Sequence, residues 1–506
     1  MGMRDFTLHD LLVRNATLHG ERTAIVFEDQ RVTHAQYLAR VERLAAGLAA
    51  AGLRAGDRFA VMAQNRLEYL DLYGAAARLG AILVPVNWRL SPDEVAHVIS
   101  DTTPVILMAD AEYQPVVGGL AAKNPSVKRC IALGAAQAGF EPYEGLLADH
   151  PPAPPLDVDA DAGFTIMHTA AVGGLPRGAE ITHRGLITAH TQMILTTGLG
   201  PDDVNLGMLP LFHVSGLGLF LTVLQAGGCT VLSTRFDAAA AARQIQEFKV
   251  SIFVEFAPML GNVLDQAAAQ GTDLSSLRVV TGLDTPDTIR RFVETCPKAD
   301  FWVGFGQSET SGMVTLGRFR DRPGSAGRPA TFAIVGVVDD LDAPVPLGTV
   351  GEIVVRGPMV FKGYWNRAED NAHTFRNGWH HTGDMGRFDA DGFLFYAGRS
   401  PAKELIKPGG ENVYPAEVER VILEHPAVAE VAVIGVRDAQ WGEAIKAVCA
   451  CKPGAAAPSP AELIEFCGSR IARFKKPKHV VFVAALPRTA AGAVDRAKVK
   501  AEHGDA

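Results

Sequence analysis

Through roughly the first 350 residues, short β-rich apolar runs alternate with alanine- and leucine-rich amphipathic stretches. One cycle reads Arg58 to Met62 as a strand, Leu67 to Leu79 as a helix and Ile82 to Pro85 as a strand. It continues with Pro92 to Ser100 as a helix and Val105 to Met108 as a strand. This alternation predicts an α/β fold: a large N-terminal domain of layered, mostly parallel sheets. Such folds place ligands on the loops that leave the strands. At 506 residues the chain exceeds what one core holds, so more than one domain is expected.

From about Gly348 the pattern shifts to short, turn-punctuated strands (EIVVRG, GWHHTGDMGRFDADGFLFYAG), predicting a β subdomain over about 340–400. The polar run SPAKELIKPGGENVYPAEVE then leads into a helix from about Pro415. Strands follow at Val431 to Val436, Ala444 to Cys451 and Val480 to Phe482, with a helix over Pro460 to Ala472. The expected division is an N-terminal domain over 1–400 and a small, mobile C-terminal α+β domain over 404–506, with a hinge near 400–404.

A net charge of -8 supplies no general attraction for nucleic acid, so anionic ligands need a local site. The six cysteines form no CxxC pair and have no histidine at zinc-ligand spacing, which fits a reducing, cytoplasmic setting. The N-terminal segment is broken by charges and lacks a signal-peptide core. Val214 to Leu232 carries no charge, but its glycines and Gln225 divide it into a buried helix, a turn and a buried strand rather than a membrane span.

Three segments carry chemistry. Met167 to Ala179 (MHTAAVGGLPRGA) is glycine-rich, follows the apolar run Phe164 to Met167 and precedes a helix expected near Thr182. Glycines between strand and helix let backbone N–H groups approach phosphate oxygens, and Arg177 can add a bidentate contact. No Gly-Lys-Ser/Thr follows at Walker spacing. Gly304 to Thr310 (GFGQSET) places Glu309 at a strand's end, where a carboxylate can share Mg²⁺ with substrate phosphates, and Phe305 offers a flat face for a base. In His381 to Asp384, followed by Gly398 and Arg399, the carboxylate can accept two ribose hydroxyls and the guanidinium can stabilise charge on phosphate.

Taken in order, these segments resemble the adenylate-forming superfamily, and within it the acyl-CoA synthetases. The likeness continues through PLFHVSG, GSAGRP, GEIVVRG, KGYWNRAE and KELIKPGGENVYPAEVE, and so covers nearly the whole chain. It implies ATP, Mg²⁺ and coenzyme A as cofactors and a small carboxylic acid, of medium or long aliphatic chain or aromatic, as substrate. A homodimer is compatible with it. It assigns Thr169, Gly173, Gly174 and Arg177 to the phosphate loop, with Arg177 in the usual lysine place, and His213 to the passage between acyl and nucleotide sites. Gly282, Phe305 and Gly306 go to adenine, Gln307 and Ser308 to the nucleotide, Glu309 to Mg²⁺, and Asp384 and Arg399 to ribose and α-phosphate. His213, Glu309 and Arg399 are thereby the candidate catalytic residues. Lys403 marks the hinge, and Gly409, Gly410 and Glu411 the pantetheine channel. The segment after His213 and Gly282 to Asp284 are assigned to the acyl side.

The sequence departs from the family in three places. Ala170, Ala171 and Val172 replace the usual phosphate-loop hydroxyls. Ala493 stands where a lysine normally stabilises charge during adenylation. Gly282-Leu283-Asp284 replaces the usual GGA. Three readings stay open at this level: a working synthetase, a member confined to the thioester half-reaction, and a non-catalytic acyl- or nucleotide-binding protein.

Overall fold

The computed structural model describes residues 5–169, 176–399, 405–409, 411–488 and 494–504. Among them, a nine-stranded and an eight-stranded sheet build the N-terminal part. In both, the interior strands run parallel and the edges turn antiparallel. Strand alternation shows how they are layered. From Arg58–Met62, Phe59 and Val61 enter one core with helices His34–Ala50, Leu67–Leu79 and Val214–Gln225, while Ala60 and Met62 enter another with helix Pro92–Thr102. Phe253 and Val280 of the nine-stranded sheet likewise face away from Val254 and Val279, beneath helices Ala238–Phe248, Met259–Gln270 and Pro286–Thr295. Buried on both faces, these strands read as continuous apolar runs. The result is helices outside and between two sheets, as the alternation predicts.

Strands Arg58–Met62 and Ile82–Pro85 and helix Leu67–Leu79 fall on the expected residues. Residues 214–232 form a helix, a turn and a strand, and no helix among the described residues is long and apolar enough to cross a membrane. Two expectations change. The glycine-rich stretch is not followed directly by a helix: Arg177–Thr182 is a strand antiparallel to Gly163–Thr169, and the helix begins at His183. The apolar residues Ala179 and Ile181 alternate with polar ones, which suits a strand end better than a loop. The antiparallel β subdomain, a four-stranded sheet, starts earlier than 340, at Ile334–Val338.

The C-terminal part pairs Val428–Asp438 with Gly442–Cys451, adds His479–Val483 in parallel, and covers them with helices Pro415–Leu423 and Pro460–Gly468. Val418, Val433, Ile445 and Leu463 form its own core. All six cysteines are free thiols.

Candidate active site

The candidate residues gather where strands end. Strand Asp300–Gln307 delivers Phe305, Gly306 and Gln307 and passes into the turn Ser308–Thr310, which buries Glu309. Glu309 Oε1 accepts hydrogen bonds from the Thr169 hydroxyl (3.0 Å) and the Tyr364 hydroxyl (2.9 Å). Burial and the Glu309 carboxylate hold the Tyr364 phenol well above its ordinary range, so it stays a donor. Arg177 lies over the Tyr364 ring, 4.0 Å from its centroid, and reaches Asp370 at 3.3 Å.

Phe305 is buried beside Tyr396, the rings near parallel at 6.4 Å. A Cβ on Gly306 would lie 2.2 Å from the Gly312 carbonyl oxygen, so the antiparallel neighbour demands glycine there. Gln307 donates to the Thr382 carbonyl (3.1 Å) and to Asp384. Asp384 pairs in register with Arg399, accepts from Tyr396 (3.0 Å) and meets Arg399 Nε at 3.2 Å. Burial works against the Arg399 charge, but Asp384, Tyr414 and Tyr396 outweigh it and raise the guanidinium further above its ordinary value.

The C-terminal part closes this cleft. Glu411 sits 3.5 Å from His213 Nε2 and is ion-paired with Arg89, whose guanidinium lies over Trp88. Burial alone would raise the Glu411 carboxyl, but His213 and Arg89 bring it down to about 2. Thr169, His213, Ser308 and Glu411 line one cavity at the junction, together with Phe474 and Lys475. Arg399 also donates to the Tyr414 hydroxyl at 3.2 Å across the junction. A second tie lies beside it: the buried Lys475 ammonium bridges Glu94 of helix Pro92–Thr102 and Glu417 of helix Pro415–Leu423. Gly409, at φ +58°, donates its N–H to the Trp441 carbonyl, and a Cβ there would meet the indole at 2.9 Å.

For Mg²⁺, Glu309 offers one buried carboxylate beside the strand ends, and no group of three or more metal-ligating side chains occurs among the described residues. That donor set fits an ion carried largely on substrate phosphates, which needs one or two carboxylates and no protein cage.

The structure thus brings together Thr169 with Glu309, Gln307 with Asp384 and Arg399, and His213 with Glu411. Gly282 stands apart from the junction cavity, at the end of strand Val279–Leu283. Gly173, Gly174, Lys403, Gly410 and Ala493 lie outside the described residues, as do Ala170, Ala171 and Val172. Sequence reasoning missed Arg89, Glu94, Tyr396 and Lys475. Tyr396 sat inside the quoted GWHHTGDMGRFDADGFLFYAG segment, and Tyr364 and Tyr414 inside KGYWNRAE and GGENVYPAEVE, without being singled out.

Comparison with known families settles the relationship. The profile "AMP-binding enzyme" matches residues 12–365, and "AMP-binding enzyme C-terminal domain" matches residues 417–493. The chain belongs to the adenylate-forming acyl-CoA synthetase family. It is 35% identical over 509 residues to a feruloyl-CoA synthase of an Amycolatopsis species, covering 99% of this chain and 100% of that one. A structure from Rhodopseudomonas palustris, provisionally described as a long-chain-fatty-acid CoA ligase, is 54% identical, covers 79% of this chain and 100% of its own, and has a TM-score of 0.76. The o-succinylbenzoate CoA synthetase of Bacillus subtilis has been solved in different complexes. Its double mutant bound to a product analogue is 30% identical, covers 97% of each chain and has a TM-score of 0.86. With the acyl-adenylate intermediate, over the same 97% of each chain, the TM-score falls to 0.71.

Proposed function

We propose that this chain is an AMP-forming acid–thiol ligase that converts a medium- or long-chain aliphatic, or aromatic, carboxylic acid to its CoA thioester. The carboxylate oxygen attacks the α-phosphorus of ATP and the bond to pyrophosphate breaks. The CoA sulfur then attacks the acyl carbon, the bond to AMP breaks and the thiol proton passes to water. AMP makes a far better leaving group than oxide, which is why the acid is adenylated first. Mg²⁺ on Glu309 and the substrate phosphates would neutralise the charge of the pyrophosphate being released. Thr169 and Tyr364 fix the Glu309 carboxylate, Gln307 and Tyr396 fix Asp384 for the ribose, and Arg399 faces the α-phosphate.

The observation that carries this reading is the single cavity lined by Thr169, His213 and Ser308 of the large domain and by Glu411 of the small one. A passage made jointly by both domains suits a second substrate that arrives after the first step and excludes water from the adenylate. The higher similarity to a product-analogue complex than to an acyl-adenylate complex supports assigning this arrangement to thioester formation. The test is acid-dependent exchange of labelled pyrophosphate into ATP without CoA, over a panel of aliphatic and aromatic acids. Exchange with one class names the substrate class.

Ala493 and the hydroxyl-poor loop favour one second reading, in which only the thioester step survives. Acyl-CoA formed from a synthetic acyl-adenylate and CoA, with no exchange from any acid and ATP, would establish it.

A further inference from the structure

Helix Pro92–Thr102 carries two faces of different character. Val95, Val98 and Ile99 enter the apolar core against the eight-stranded sheet, with Ala60 and Met62. Glu94, His97 and Asp101, spaced i, i+3 and i+7, share a second, polar face. Packing on the sheet needs only the first face. On the second, Glu94 is buried and the Asp101 side chain is 6% exposed, a costly place for carboxylates unless each is paired. Each of the three is engaged, and by different parts of the molecule.

At the N-terminal end the polar face receives the small domain. The capping box with Ser91 fixes the Glu94 carboxylate, whose Oε2 accepts from the Ser91 N–H at 2.9 Å. The same oxygen accepts from the Ala472 N–H (3.3 Å), and Oε1 accepts from the buried Lys475 ammonium, both of the C-terminal part. Burial alone would raise this carboxyl, but Lys475 and then Ser91 bring it below its ordinary value. Arg89, two residues ahead of Ser91, adds the ion pair with Glu411.

Further along, the same face holds two strand ends of the large domain. His97 Nε2 donates to the Pro176 carbonyl (2.9 Å), and Asp101 Oδ2 accepts from His168 Nε2 (3.3 Å). Burial pulls the His168 imidazole below its ordinary value against the Asp101 carboxylate, so it stays neutral at neutral pH. Arg367 meets the other oxygen of Asp101 at 3.1 Å. The residue after His168 is Thr169, whose hydroxyl rests on Glu309, and the residue after Pro176 is Arg177, which lies over Tyr364. Thr169 and Arg177 are register partners on their paired strands. One helix face, about 10 Å long from Glu94 to Asp101, thus joins the docked small domain to the two strand ends that present Thr169 and Arg177.

We propose that this face transmits docking of the small domain to the placement of Thr169 and Arg177, with His97, Asp101 and His168 as positioning residues for the phosphates of the nucleotide. The proposal rests on the ligase reading above for the identity of that ligand. The two states are the small domain docked on Glu94 and released from it. A helix held by hydrogen bonds at both ends moves as one body, so a shift at Glu94 reaches His97 and Asp101 undiminished. Neither His97 nor Asp101 lines the junction cavity, so each acts through the strand end it holds. Such coupling is reciprocal: docking that favours the ligand is itself favoured by it.

The test is a double-mutant cycle on the calorimetric Kd for MgATP, with the full chain and without acid or CoA. Lys475→Ala, which releases the small domain from Glu94, is expected to weaken binding by about fivefold or more. His97→Phe, which removes the donor to Pro176, is expected to weaken it too, and the double variant no further than His97→Phe alone. His97→Gln, which keeps a donor for that carbonyl, is expected to restore both the affinity and the response to Lys475→Ala. Asp101→Leu cuts the other anchor and is expected to repeat the pattern of His97→Phe, each variant being checked for folding by its thermal midpoint. Wild-type affinity in Lys475→Ala, or losses that multiply in both double variants, would overturn the proposal and leave the ligase reading standing. MgATP binding with this coupling but no pyrophosphate exchange from any acid would overturn the ligase reading alone. Folded wild-type protein that binds no MgATP would overturn both.

Discussion

Where the nucleotide is proposed to bind, Asp384 receives hydrogen bonds from Gln307 and Tyr396 and faces Arg399, and Glu309 receives them from Thr169 and Tyr364. Away from this cluster, the buried Glu255 has only Asp284 and the Leu260 N–H beside it, and His190 Nε2 receives no hydrogen bond. The first region is organised before any ligand arrives, as a site must be if its dipoles are to stabilise charge that develops only during reaction. The second is held neutral by burial rather than organised around charge. The finished site is the one suited to a proposed nucleotide common to every turnover.

Four substitutions would break or sharpen this contrast. Glu309→Gln should have the largest effect, lowering pyrophosphate exchange by about 10²–10³-fold with folding intact, because it removes a pre-placed charge. Lys475→Ala leaves the buried Glu94 and Glu417 carboxylates without their shared cation, a loss of about 3–5 kcal/mol in the domain arrangement seen here. Acyl-CoA formation from a supplied acyl-adenylate should slow by roughly 10²-fold, with pyrophosphate exchange much less affected. Ala493→Lys should raise exchange by about tenfold if the rest of the nucleotide end is competent; no gain would put the limit in the hydroxyl-poor loop.

Glu255→Gln should act on stability and least on turnover. Its folded-state carboxyl is raised to about 9, so folding holds a proton that the unfolded chain releases above the ordinary carboxyl range. Wild-type stability should fall as pH rises from about 5 towards 9, by about 1 kcal/mol per unit, and the variant should lose this slope. Denaturant midpoints at pH 5.5 and 8 measure it, and parallel slopes would show that burial does not raise this carboxyl.

The regular parts of the fold were legible because local pattern and burial agree in them. Arg58–Met62, Leu67–Leu79 and Ile82–Pro85 have the same ends in sequence and structure. The antiparallel pairing of Arg177–Thr182 was missed because glycines and an arginine obscure a short edge-side strand whose partner, not its own pattern, defines it. In the site, residues within contiguous motifs could be named in advance. Arg89, 322 residues from its partner Glu411, could not, since a long-range ion pair leaves no periodic trace. Glu255 looks in sequence like a single polar interruption of an apolar run, and only its burial distinguishes it.

The most direct test of the central claim is mass-spectrometric detection of product when the protein is supplied with ATP, Mg²⁺, CoA and the acid panel. The account predicts an acyl-CoA thioester formed with one equivalent of AMP, requiring ATP and CoA together. Folded protein that forms neither AMP nor acyl-CoA with any acid of the panel would contradict it.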